Sequence, residues 1–91
     1  MQRIMIDSLD KKLIGILGAR QSAVKEIGIF KAMNNIPVLQ SDRFQEVMKR
    51  SIESGQKVGL SEQFITRIMI AIHEESLRIE ESLKLRDPDG P

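Results

Sequence analysis

Position 20 of this sequence carries an arginine where helical periodicity asks for an aliphatic side chain. Ile6, Leu9, Leu13, Ile16, position 20, Ala23, Ile27 and Phe30 follow one another in steps of three and four, the stripe of a helix facing a core. An unpaired buried guanidinium costs several kcal/mol, so Arg20 requires an anion from the protein or from a ligand. Lys31 follows eleven residues later, three helical turns on, and points from the same face. Toward the C-terminus, Ile65, Ile68, Met69, Ile72, Ile79 and Leu83 form a second stripe, interrupted by Ser76 and Glu80. His73, Ser76 and Glu80 share one face by their spacing, and Arg43 lies one turn before the apolar Val47. Arg20, Lys31 and Arg43 can therefore face Ser76 and Glu80 across one cavity suited to a small anion.

Each residue also has a plainer role. Arg20 could form a structural salt bridge with Glu80 or another acid. Lys31 near a helix C-terminus complements the helix dipole, Arg43 alone reads as a solvated surface residue, and His73 as packing. A serine within an apolar stripe usually bonds back to the carbonyl four residues earlier, which would account for Ser76. The coincidence of several seam interruptions, two of them cationic, favours the pocket. Arg3 lies 17 residues before Arg20, about 25 Å along a helix, too far to share a small ligand within one chain. Across an antiparallel dimer the partner's Arg3 can approach Arg20, giving a site for an anion with two acidic groups.

The elements that must hold these groups are helices. Sustained period-two alternation is absent. A first helix is expected from about Gln2 to Asn34, ended by Asn34-Asn35-Ile36-Pro37. The second runs from about Asp42, capped by Ser41, to Ser54, with Gly55 as its stop. After Gly59-Leu60, Ser61 caps a third helix that reaches about Lys84. Residues 1–85 form one all-α domain, and residues 86–91, rich in proline and aspartate, a disordered tail. A first helix of that length extends about 50 Å, against a diameter of about 30 Å for a compact globule of this size. Two short helices cannot cover its stripe, so we expect an intertwined homodimeric helical bundle, with Gly15 and Gly18 marking close backbone approach. A kink at those glycines, folding the helix back into a monomeric bundle, is the alternative.

Composition excludes several functions. Fourteen basic residues against 13 acidic, and three aromatics, all phenylalanine, argue against nucleic-acid binding. With no cysteine and one histidine there is no metal-ligand cluster. The acidic residues early in MQRIMIDSLDKK argue against a signal peptide, and no apolar run approaches the roughly 20 residues of a membrane span. A cytoplasmic protein with no membrane association is expected.

The pattern Arg3-x2-Ile6-Asp7-x2-Asp10-x2-Leu13-x6-Arg20-x10-Lys31-x5-Pro37-x5-Arg43, with Ser76 late in the third helix, resembles the all-helical chorismate mutases over about residues 3–83. Pro37-Val38-Leu39-Gln40 with Ile72-His73-Glu74-Glu75-Ser76 looks most like mutase domains fused to 3-deoxy-heptulosonate-phosphate (DAHP) synthases. The resemblance implies an intertwined dimer with shared sites and the rearrangement of chorismate to prephenate, with no cofactor, metal or covalent intermediate. It also implies that Arg20 and the partner's Arg3 grip one carboxylate, that Arg43 with Ser76 binds other polar groups, and that Lys31 donates to the ether oxygen.

This sequence departs from the family pattern twice. The glutamate that often follows the helix-two arginine and contacts the ring hydroxyl is replaced by Phe44, with Gln40 and Glu46 as substitutes to consider. Position 80, commonly glutamine, is Glu80. A carboxyl donates a hydrogen bond only when protonated, so Glu80 is expected to act in that form, which burial favours and Lys31 and Arg20 oppose. Two rivals stand beside the mutase: an isochorismate pyruvate lyase of the same fold, and a non-catalytic dimerisation or regulatory module with Arg20 paired internally.

Overall fold

In the computed structural model, residues 2–37 and 41–84 are described, and they form three helices and no strand: α1 Gln2–Met33, α2 Ser41–Lys57 and α3 Glu62–Lys84. The tail expected from residue 86 lies outside the described residues. Both α1 and α2 pack on α3, and they share no close packing with each other. The sites at which α3 meets its neighbours are glycines. A Cβ on Gly28 of α1 would come within 2.6 Å of Leu83 Cδ1 and 3.0 Å of Glu80 Cγ. Gly55 of α2 lies so close to Ile65 that a Cβ there would stand 2.9 Å from Ile65 Cγ1 and nearer still to Cδ1.

Gly55 is therefore a point of close approach, and the expectation that it stops α2 is overturned. The helix continues to Lys57 and reverses at Gly59, whose φ of 87° is open to glycine at little cost. There the Leu60 N–H donates to the Gly55 carbonyl at 3.0 Å, closing the last turn. A similar closure ends α1. Asn35 takes φ 56°, and the Ile36 N–H donates to the Lys31 carbonyl at 2.9 Å. The helix thus ends at Met33, four residues before Pro37. At the start of α3 the Ser61 hydroxyl accepts the Phe64 N–H at 3.2 Å, the expected N-cap.

α1 is one continuous helix of 32 residues, with no reversal at Gly15 or Gly18. A Cβ added at either glycine would meet nothing within 4 Å in this chain. The fold spans 54 × 29 × 15 Å with a radius of gyration of 16.1 Å, against about 12 Å for a compact chain of this length. Ile65, 4% exposed, is the one buried hydrophobic side chain among the described residues, whereas Ile6, Leu9, Leu13, Ile16, Ile27 and Phe30 of the α1 stripe are each at least half exposed. A single protomer leaves that stripe bare.

Candidate functional site

Four α1 residues one turn apart, Arg20, Val24, Ile27 and Lys31, line one wall of a cavity of about 300 Å³. α3 supplies Met69, His73, Ser76, Leu77 and Glu80, and α2 supplies Arg43, Phe44 and Val47. Apolar side chains alternate with a few polar groups, as small-molecule pockets commonly arrange them. The closure at Asn35 fixes the last turn of α1 through the Lys31 carbonyl, and the Gly28 crossing brings α3 close enough for Lys31 to reach Glu80. Their Nζ–Oε1 distance is 3.1 Å, with the two side chains 13% and 7% exposed.

Arg20 does not make the salt bridge to Glu80 that its spacing allowed. One guanidinium nitrogen donates to the Ser76 hydroxyl at 3.0 Å, and no described carboxylate pairs with it. Ser76 in turn donates to the Ile72 carbonyl at 2.9 Å. It is bonded back into its own helix, as the plainer reading had it, and also holds Arg20. Glu80, the buried charged residue among those described, is paired with Lys31 instead. Arg43 reaches the cavity from the rim. Its 3.5 Å contact with Glu46 joins two groups that are each 61% exposed, and such surface pairs contribute little. The described lining carries three cations and one carboxylate; Lys31 pairs with Glu80 and Arg43 with Glu46 at the surface, and Arg20 alone of the three has no carboxylate among the described residues.

Not every expected site residue joins this group. Arg3 sits in the exposed first turn of α1, far from the cavity of its own chain. Gln40 lies outside the described residues. Glu46, a substitute for the missing glutamate contact, is turned to Arg43 and Arg50 along the α2 surface, each at 3.5 Å, and does not line the cavity. The i, i+3 and i, i+4 spacing of those arginines already favoured that surface pairing.

By its position in the sequence His73 reads as a packing or partly exposed residue, and Phe44 as the loss of a contact. In the structure their rings stack, with centroids 3.9 Å apart and planes inclined by 28°, and both line the cavity. A signal was present in the spacing of His73 from Ser76 and Glu80. What the sequence lacked was the register of α2 on α3.

Away from the cavity, two hydrogen bonds from Arg78, at 2.6 and 2.9 Å, hold the Glu75 carboxyl below its ordinary range on the outer face of α3. Among the described residues no cluster of histidine, cysteine, aspartate or glutamate is arranged to hold a metal. No described helix is long and apolar enough to cross a membrane.

Comparison with known proteins gives these features a context. The family described as chorismate mutase type II matches residues 2–81. The bifunctional chorismate mutase/prephenate dehydratase of Escherichia coli strain K12 is 32% identical over 81 residues, which cover 89% of this chain and 21% of the relative. The protein of the same description from Buchnera aphidicola subsp. Acyrthosiphon pisum is 30% identical over 78 residues, 86% of this chain and 20% of the relative. That from Enterobacter agglomerans is 25% identical over 89 residues, 98% and 23% respectively. The chain thus spans about a fifth of the length of these curated relatives. Their second function is named as prephenate dehydratase, which corrects the expectation of relatives joined to a DAHP synthase.

Proposed function

The chain belongs to the chorismate mutase type II family, and on that premise we propose that it rearranges chorismate to prephenate. The reaction breaks an ether C–O bond and forms a C–C bond within one molecule, so it needs no nucleophile and no proton transfer. The protein has two tasks. It must hold a dianion in a folded, reactive shape, and it must stabilise negative charge on the ether oxygen as the bond breaks. The observation that carries this reading is the charge of the cavity, whose described lining holds three cations and one carboxylate, for a substrate with two carboxylates.

Arg20 is the best placed of these cations. It is half-buried, bonded to a hydroxyl that neutralises nothing, and so gains an anionic partner when a carboxylate arrives. Arg43, with Ser76 nearby, takes other polar groups of the substrate at the rim. Lys31 is the donor to the ether oxygen. Only the part of that interaction that strengthens toward the transition state accelerates the reaction. Glu80 holds the Lys31 ammonium at the cavity wall. Protonated, Glu80 becomes a second donor converging on the oxygen.

The bare α1 stripe supports a two-fold dimer, because an apolar strip of this extent is a surface that a partner covers. An antiparallel arrangement would bring the partner's Arg3 to the open end of the cavity and complete the grip on one carboxylate. Two-fold symmetry then gives two equivalent sites. The matched relatives favour a prephenate dehydratase, ahead of a DAHP synthase, as an associated activity, and a cytoplasmic setting accords with a substrate of biosynthesis.

The test is the loss of chorismate absorbance on adding the purified chain, with the product identified by NMR. Prephenate is the expected product. An unchanged substrate, or pyruvate released from isochorismate with chorismate left intact, overturns the reading.

A further inference from the structure

We propose that His73, pinned by its stack on Phe44, recognises the ring hydroxyl of the substrate, an inference that rests on the mutase reading above. Chorismate presents two carboxylates, an ether oxygen and a secondary alcohol on its ring. The cations and Glu80 account for the first three, and the alcohol needs a group that can donate to it or accept from it. Around the cavity the other polar side chains are already engaged. Ser76 donates to the Ile72 carbonyl and accepts from Arg20, while Glu80 and Lys31 hold one another. His73 makes no hydrogen bond with any other described residue, and its ring stacks on Phe44.

A neutral imidazole carries one donor and one acceptor on different nitrogens, and either can meet the alcohol in a single hydrogen bond. The stack engages the ring's face and leaves both nitrogens at its edge. With centroids 3.9 Å apart, Phe44 confines the imidazole to one plane, so less rotamer freedom is lost when a ligand hydrogen-bonds to it. The phenylalanine that displaces a glutamate contact on α2 is in this account the support for a replacement on α3. Because a hydrogen bond of this kind is directional, the pair also selects for the position of the hydroxyl on the ring, and so discriminates chorismate from an isomer bearing it on another carbon.

The experiment measures affinity by calorimetry for a bicyclic ether dicarboxylate that mimics the rearranging substrate, prepared with and without the ring hydroxyl. Wild type, His73→Ala, His73→Gln and Phe44→Leu are compared, with circular dichroism as a check on folding. His73→Ala should lose about tenfold in affinity for the hydroxylated compound, the worth of one well-formed hydrogen bond, and less than about twofold for the deoxy compound. His73→Gln, which keeps a donor and an acceptor, should recover most of the loss, and Phe44→Leu should show a smaller loss confined to the hydroxylated compound. With chorismate as substrate, His73→Ala should raise KM more than it lowers kcat. Equal losses for the two compounds, or none for either, overturn the inference while leaving the mutase reading intact. A wild-type chain that binds neither compound overturns both. Should His73→Ala fail to fold, the glutamine and leucine variants decide by the same comparison.

Discussion

Replacing Arg20 by alanine separates a ligand-binding guanidinium from a structural one, because the two make opposite demands on stability. In the structure Arg20 has a single hydrogen bond, 3.0 Å to the Ser76 hydroxyl, and no carboxylate among the described residues. Losing a hydrogen bond from a charged donor costs about 1.5–3 kcal/mol. Removing a half-buried cation without a counter-charge recovers a desolvation cost of similar size. The opposing contributions should leave stability within about 1 kcal/mol of wild type, less than about 8 °C in melting temperature for a chain of this length. Catalysis has no such compensation. A preorganised donor lost from the transition state costs about 2–4 kcal/mol, which lowers kcat/KM by roughly 30- to 900-fold. The assay pairs initial rates of chorismate loss with thermal denaturation and sedimentation of the same preparation. A variant that unfolds, or one that keeps its rate within about threefold, refutes the reasoning.

Three further outcomes follow from the same geometry. Glu80→Gln places an amide that donates beside the Lys31 ammonium, where a carboxylate can only accept, so initial rates of chorismate loss should be kept or raised, and a folded but inactive variant would remove the proposed role of position 80 as a donor. Gly28→Ala should destabilise the protein by about 1–2 kcal/mol in chemical denaturation, since overpacking against Leu83 and Glu80 outweighs the roughly 1 kcal/mol gain in helix propensity. Leu13→Glu, placing a charge in the bare α1 stripe, should shift the protein to monomer in sedimentation and abolish activity, although Leu13 does not line the cavity.

Helical periodicity makes most of this arrangement legible in the sequence. Arg20 and Lys31 betray themselves as cations on an apolar seam, and Ser76 and Glu80 as polar groups on the facing one, because a 3.6-residue repeat fixes which side chains share a face. It does not fix which partner each will meet. Arg20 took Ser76 and left Glu80 to Lys31, a choice set by the offset of α1 along α3 that only the Gly28 crossing determines. Gly55 and Gly59 are the same residue type in a short stretch of chain. One is demanded by Ile65 from another helix and the other by a positive φ, so reading the first as a helix stop mistook tertiary packing for local chain reversal. The Phe44–His73 stack was hidden for the same reason, since each residue is ordinary on its own helix. The α1 stripe shows the converse: its apolar repeat continues where this chain offers nothing to cover it.

Mixing two crippled variants tests most directly whether inward-facing cations of one subunit and Arg3 of the other form a common anion site. Arg3→Ala and Arg20→Ala, each inactive as a homodimer, would be combined in equal amounts, exchanged by partial unfolding and refolding, and assayed for chorismate loss. Half of the dimers are then mixed, and in each mixed dimer one of the two sites carries both native arginines, so roughly a quarter of wild-type activity should return. Activity no greater than the sum of the separate variants, with subunit exchange verified, would contradict the account.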